Sequence, residues 1–319
     1  MENKKRPLVV LTGPTAVGKT KLSIALAKTI NGEILSADSM QVYKHMDIGS
    51  AKIRPEEMQG VPHHLIDILE PWEEFNVVVF QKRCLECMEQ IYANGHIPIL
   101  VGGTGFYIQA VLRSIDFTEN EENTEYREGL ERIAREQGPE ILHEQLKKVD
   151  PVSAENIHAN NVKRTIRALE YYELTGEPIS AHNEREKERV SPYNFSYFVL
   201  TDDREKLYAR IETRIDEMLS EGLVDEVKQL KEMGCHRGMV SMQGLGYKEI
   251  LDYLDGNNSL EEAVYNLKRD TRHFAKRQLT WFRREKEVTW INKEKFDDNE
   301  EKILQYMLRK LREKEIVSE

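Results

Sequence analysis

Long apolar runs are missing from this 319-residue chain, and no stretch approaches the ~20 residues that a membrane-spanning helix needs. Cysteine is scarce. Three residues cannot build a disulfide framework, which points to a reducing compartment, the cytosol. Cys84 and Cys87 form one C-x-x-C, but no second pair completes a four-ligand zinc site. They fall in a helical stretch, Gln81 to Tyr92, where packing outweighs redox or metal chemistry as a reading. The opening residues, Met1 to Arg6, pass into a strand without the apolar core and cleavage site of a secretion signal, so no export is expected. An excess of positive charge is also missing. A net charge of −10 excludes non-specific nucleic-acid binding by the whole surface, and leaves only a local basic face to look for. With 32% charged and 39% hydrophobic residues the composition is globular, and the length suits one large domain or two ordinary ones.

The most informative stretch is Leu8 to Thr20. Leu8 to Leu11 is an apolar run suited to a buried strand. Gly13-Pro14-Thr15-Ala16-Val17-Gly18-Lys19-Thr20 matches G-x-x-x-x-G-K-[ST], and Lys21 to Ile30 has helical periodicity. Strand, glycine loop and helix in this order form a phosphate cradle. Backbone N–H groups and the helix N-terminus face an anion, Lys19 reaches outer phosphate oxygens, and the Thr20 hydroxyl can ligate Mg²⁺. The loop by itself announces a nucleotide triphosphate, without naming the ligand.

Asn31-Gly32 stops the helix, and Glu33 to Ala37 reads as a second strand ending at Asp38. Ligands of open α/β sheets bind beyond the carboxyl ends of strands, so Asp38 should point toward the loop, to hold a metal or act as a general base. His63 and His64 read as loop or packing residues. A helix is expected over Asn76 to Asn94, and a third strand over His96 to Val101. That strand ends in Gly102-Gly103-Thr104-Gly105, not in the aspartate that hydrolytic P-loop motors use for Mg²⁺, which disfavours a motor. From 114 to 192 the pattern is helical: an acidic loop at Glu119 to Glu125, helices over Tyr126 to Glu136, Pro139 to Lys148 and Asn161 to Thr175, and a charged connector at His182 to Arg189. Strand alternation resumes at Asn194 to Leu200. The fold class is therefore α/β: a P-loop NTPase-like parallel sheet flanked by helices, with a helical insertion domain and a helical C-terminal region. The boundaries fall at 1–113 and 193–319 for the core and 114–192 for the insertion.

Leu207 to Leu219 should form a helix carrying Arg210 and Arg214 at i, i+4, a spacing that suits arginines neutralising a transferring phosphate but also suits a plain surface. Leu260 to Lys286 should form a long helix. Val264, Leu267, Phe274, Ala275, Trp281 and Phe282 share one arc with Thr271 and Gln278, and Arg269, Arg272, Lys276, Arg277, Arg283 and Arg284 occupy the other. Between Lys268 and Glu287, eight Lys or Arg stand against three acids, a local +5. A polyanion-binding face is the better reading, a solvated face the other.

These motifs, in this order, resemble bacterial tRNA dimethylallyltransferases (tRNA isopentenyltransferases) over nearly the whole chain. They are the P-loop, Asp38-Ser39-Met40-Gln41-Val42-Tyr43, Asp47-Ile48-Gly49-Ser50-Ala51-Lys52, Pro62 to Asp67, Gly102 to Gly105, Lys163 to Glu170, Gly246-Tyr247-Lys248-Glu249 and Lys276 to Arg283. The resemblance implies transfer of a dimethylallyl group from dimethylallyl diphosphate to the exocyclic amine of the adenosine 3′ of the anticodon. It implies that Thr15 to Thr20 hold the diphosphate with Thr20 on Mg²⁺, that Asp38 is the general base, and that Arg214 or Arg210 neutralises the leaving pyrophosphate. Asp38, Ser39, Met40, Gln41 and Thr104 would position the target nucleotide. Lys163, Arg164, Arg167, Gln243, Gly246, Tyr247, Lys248, Lys276, Arg277, Gln278 and Arg283 would grip the tRNA. A cytoplasmic monomer with no membrane partner is expected. Departures are few: Ser50 for Thr, Phe106 for Leu, Phe274 for Tyr, and lysines at 163 and 248. The zinc finger of eukaryotic relatives is absent. Two other readings compete. A small-molecule or nucleotide kinase would use the same loop, insertion and arginines, but has no use for the basic helix. A nucleotide-dependent RNA-binding module has none for Asp38.

Overall fold

The computed structural model describes residues 5–117 and 124–318. Most of the acidic stretch 119–125 therefore lies outside the described residues. Two compact units emerge, one of 1–112 with 192–319 and one of 113–191.

The first unit is built on a six-stranded, all-parallel sheet. Its strands are β1 (Arg6–Thr12), β2 (Gly32–Ala37), β3 (His63–His64), β4 (Ile97–Gly102), β5 (Tyr193–Thr201) and β6 (Val288–Asn292), in the order β3-β2-β4-β1-β5-β6. Its helices are α1 (Lys19–Ile30), α2 (Val77–Ala93) and α3 (Gly105–Leu112). The chain passes through the second unit as α4 (Thr124–Gln137), α5 (Pro139–Val149), α6 (Pro151–Asn156), α7 (Val162–Thr175) and α8 (Ile179–Glu188). The first unit resumes with α9 (Arg204–Ser220), α10 (Leu223–Glu232), α11 (Tyr247–Leu254), α12 (Leu260–Phe282) and α13 (Glu300–Glu313). Leu8, Val9, Val10 and Leu11 are fully buried, as a central strand covered on both faces requires. Because every strand runs the same way, the P-loop, Asp38, Gly103–Thr104, Asp202 and Lys293 all emerge at one edge of the sheet.

Close approach explains two glycines at that edge. A Cβ on Gly13, which has φ +148°, would lie 2.5 Å from the Leu200 carbonyl oxygen, and one on Gly102 would lie 2.2 Å from that of Ala37.

Several elements differ from the sequence expectation. The long helix ends at Phe282, with Arg283 as its C-cap, not at Lys286, and frees the next residues for β6. The segment 182–189, expected as a charged connector, belongs largely to α8. Its first turn is anchored where the Ser180 N–H and hydroxyl donate to Asp150 at 3.0 and 2.6 Å, and charge composition cannot signal that anchor. Asp150 also caps α6 by accepting the Ser153 N–H at 2.9 Å and its hydroxyl at 2.7 Å. Burial pushes the Asp150 pKa up, but these bonds outweigh it and hold the carboxyl below its usual range. The second unit has its own small core, including Leu130, Leu142, Leu146, Ile166 and Leu169.

Candidate active site

The P-loop is held from within and from two neighbouring elements. Lys19 Nζ donates to the Gly13 and Pro14 carbonyls at 3.0 and 2.8 Å. Gln278 of α12 is buried. Its Oε1 accepts the Thr15 N–H at 2.9 Å and its Nε2 donates to the Gly103 carbonyl at 3.0 Å, so one amide ties the P-loop to the glycine turn after β4. Gly103 leaves room for it, since a Cβ there would meet Gln278 Nε2 at 2.1 Å.

The two arginines of α9 separate into different jobs. Arg210 donates to the Ala16 carbonyl at 3.1 Å and pairs at 2.5 Å with the fully buried Asp202 carboxylate after β5. Its charge is spent on the scaffold. Arg214 makes no ion pair among the described residues. Burial is the main cause that lowers its pKa, partly offset by Asp38. Desolvation and then the Arg214 charge lower the Lys19 pKa to about 8, with Asp38 acting in the other direction. Lys19, Arg214 and Asp38 therefore feel one another across a single patch. Tyr107 belongs to it too, pushed up to about 12 by burial and then by Asp38.

Asp38 is half-buried, with Oδ1 accepting the Met40 N–H at 2.8 Å. Its other oxygen takes no hydrogen bond among the described residues. Thr104 begins the turn into α3, accepting the Tyr107 N–H on its carbonyl at 3.0 Å, and its hydroxyl makes no hydrogen bond among the described residues. Ser39 and Met40 are half-buried beside them. The Gln41 amide faces inward: its Oε1 accepts from Ser36 at 2.9 Å, and Nε2 reaches the Ser50 and Ala51 carbonyls at 3.4 Å. Thr20 is exposed at the start of α1, with its side chain making no hydrogen bond among the described residues.

The loop motifs at 47–52 and 62–67 turn out to be braces. Glu226 accepts the N–H groups of Asp47, Ile48 and Gly49 at 2.9, 2.7 and 3.0 Å, and the Tyr247 hydroxyl at 2.8 Å. Lys52 bonds the Tyr43 carbonyl at 2.8 Å and both Asp47 and Asp67 at 2.5 Å. His64 and His96 donate to the buried Glu33 at 2.6 and 2.5 Å, a packing role. Burial raises the Cys84 thiol pKa far above its usual value, which is unsuited to redox work.

Among the residues expected to touch nucleic acid, three face inward in this structure. Tyr247 is fully buried with its hydroxyl engaged, Gly246 is buried at φ +94°, and Gln278 spends both ends of its amide internally. None of them offers a side chain to a surface ligand. Gln243 is exposed, with its amide donating to the Arg237 carbonyl, and Lys248 pairs with Glu249 at 3.3 Å. On α12, Lys268 pairs with Asp216 at 2.6 Å, Arg269 with Asp270 at 2.9 Å and Arg272 with Glu212 at 2.5 Å. Lys276, Arg277, Arg283 and Arg284 are exposed and form no ion pair among the described residues, Arg277 resting 5.8 Å over the Phe274 ring. In the second unit, Lys163, Arg164 and Arg167 share the exposed face of α7 and form no ion pair among the described residues.

Comparisons with known proteins converge. The family model described as IPP transferase matches residues 41–285, and one described as isopentenyl transferase matches 7–68. A tRNA dimethylallyltransferase of Lachnoclostridium phytofermentans is 63% identical over 98% of this chain and 99% of its own length. That of Carboxydothermus hydrogenoformans is 52% identical over 93% and 96%. The crystal structure of a full-length tRNA isopentenylpyrophosphate transferase from Bacillus halodurans superposes with a TM-score of 0.73 at 47% identity, covering 98% of both chains. A eukaryotic dimethylallyltransferase, captured acting on tRNA, superposes with a TM-score of 0.76 at 30% identity, covering 90% of this chain and 74% of its own.

Proposed function

This chain belongs to the IPP transferase family of tRNA dimethylallyltransferases, and from that premise we propose how its residues move a dimethylallyl group from dimethylallyl diphosphate to the N6 amine of the adenosine 3′ of the anticodon. The kinase alternative is not favoured, since relatives at 52–63% identity over nearly full length are tRNA-modifying transferases. The observation that supports the reading most is that Asp38 acts electrostatically on both Lys19 and Arg214, two cations whose pKa values burial lowers, while one of its carboxylate oxygens takes no hydrogen bond among the described residues.

The chemistry needs both halves. An adenine amine is a weak nucleophile because its lone pair is conjugated into the ring, so a base must take its proton as the new bond forms. Asp38 accepts that proton, the N6–C1 bond forms, and the C1–O bond to the diphosphate breaks. The backbone N–H groups of Thr15 to Thr20, with Lys19 and Arg214, stabilise the charge that collects on the departing pyrophosphate. A base reacts only outside the stack, and the single-stranded anticodon loop offers such a base. Ser39, Met40 and Thr104 line its approach to Asp38.

Magnesium fits this donor set. No group of three His, Cys, Asp or Glu able to hold a metal occurs among the described residues, but Mg²⁺ prefers phosphate oxygens and waters with one or two protein ligands. The unengaged Thr20 hydroxyl would supply one. When bound, the ion neutralises diphosphate charge as a Lewis acid. Lys276 and Arg277 of α12 with Arg283 at its C-cap, Gln243 before α11 and Lys248 within it, and Lys163, Arg164 and Arg167 of α7 grip the tRNA phosphates. The reading includes a monomer working in the cytoplasm. It is tested by incubating the protein with labelled dimethylallyl diphosphate, Mg²⁺ and unmodified tRNA bearing adenosine after the anticodon, with ATP as control. Label on the RNA is expected; phosphorylation from ATP with no label transfer would overturn the reading.

A further inference from the structure

Lys293 is the first residue after β6, and a Cβ on Gly18 would lie 3.6 Å from its ammonium nitrogen. A side chain from the far end of the sequence thus rests against the P-loop where α1 begins. The N-terminus of a helix carries partial positive charge, and the first turn of α1 holds no acidic residue to offset it. The acids that follow it in sequence are committed elsewhere: Glu294 and Asp298 to Lys206, each at 3.3 Å, Asp297 to Lys302 at 2.6 Å, and Glu300 to Lys21 at 2.9 Å. Lys293 itself forms no ion pair among the described residues. A phosphate at the helix N-terminus would turn this repulsion into attraction.

The sheet order says which phosphate. Asp38 follows β2 and Lys293 follows β6, and these strands stand two places from β1 on opposite sides. Asn292 is in register with Thr201, directly before the Asp202 that holds Arg210 on the loop. In the prenyl transfer proposed above, the carbon that moves must face Asp38, because the acceptor amine is deprotonated there. The phosphate farther from that carbon then faces the β6 side. We propose that Lys293 is a diphosphate-binding residue that contacts this terminal phosphate, selects a diphosphate donor over a monophosphate, and helps hold the leaving pyrophosphate. β6 then has a use beyond closing the sheet: it brings a further cation to the P-loop.

The inference rests on the prenyl-transfer reading, and the test keeps the two apart. Calorimetric titration of the full chain, wild type, Lys293→Met and Lys293→Arg, with inorganic pyrophosphate and with dimethylallyl monophosphate needs no turnover. Lys293→Met should weaken pyrophosphate binding roughly tenfold or more, the size of a lost charged hydrogen bond. It should leave the monophosphate within twofold, and Lys293→Arg should restore most of the loss. In steady state the KM for dimethylallyl diphosphate should rise in parallel, with tRNA affinity unchanged. Pyrophosphate binding within twofold of wild type in Lys293→Met, or equal losses for mono- and diphosphate, would overturn the proposal. Failure of the wild type to label tRNA would instead sink the prenyl-transfer reading, whatever the titrations show.

Discussion

Cations gather in two regions of this molecule and are kept in opposite ways. At the P-loop, Lys19 and Arg214 are drawn into the protein, and burial lowers the pKa of both. From Lys276 to just past the end of α12, Lys276, Arg277, Arg283 and Arg284 stand in solvent, while earlier in the helix Lys268, Arg269 and Arg272 are neutralised against Asp216, Asp270 and Glu212. Desolvated cations suit a small, highly charged ligand that must be held in one geometry, because the attraction is weakly screened. Exposed cations suit a long polyanion bound through counterion release. Charge counted along a sequence does not separate the two; pairing and burial do.

The sharpest way to break the comparison is at the reacting end of the P-loop region. Asp38→Ala should lower kcat by roughly 10²- to 10⁴-fold, as for loss of a general base, with tRNA affinity within a few-fold in a filter-binding assay. Collapse of RNA binding would make Asp38 a positioning residue. Next comes the contrast within α9. Arg214→Ala should cost on the order of 10²-fold in kcat/KM, as for loss of one transition-state donor, and leave the melting temperature alone. Arg210→Ala should instead lower stability by about 1–3 kcal/mol, because Asp202 is left buried without its partner. Gln278→Leu should cost about 1–3 kcal/mol by orphaning the Thr15 N–H and the Gly103 carbonyl, while the folded variant keeps its tRNA affinity within a few-fold in a filter-binding assay; a larger loss of affinity in the folded protein would mean that Gln278 touches RNA. The smallest effects belong to α12. Lys276→Ala or Arg277→Ala should each flatten the salt slope of tRNA binding by about 0.7–0.9, whereas Lys268→Ala and Arg272→Ala should leave it nearly unchanged. Equal slopes for both pairs would erase the distinction between the two sets.

Much of this edge was legible in the sequence. The spacing of the P-loop named the strand, loop and helix, and the end of the second strand pointed to Asp38, because both signals are local and periodic. The helical wheel put Gln278 on the apolar arc of α12, and the structure buries it there, although motif resemblance alone assigned it to RNA. What could not be read depends on contacts between distant segments. The two-residue β3 and the edge strand β6 are too short to show alternation. The separate fates of Arg210 and Arg214 hang on Asp202 and Ala16, far from any spacing rule. Lys293 gave no signal, since a lysine after a short strand is unremarkable until the sheet carries it to Gly18.

The account turns on the claim that the P-loop cations hold a diphosphate, and the pH dependence of binding tests it most directly. Lys19 is depressed to about 8; an anion beside it must raise that value, so binding takes up a proton whenever Lys19 starts neutral. Titration of the wild type with dimethylallyl diphosphate in the absence of tRNA, from pH 7 to 9.5, should show an affinity that is steady below about 8. Above that it should weaken with rising pH, approaching tenfold per unit. An affinity that stays constant to pH 9.5 would contradict the claim.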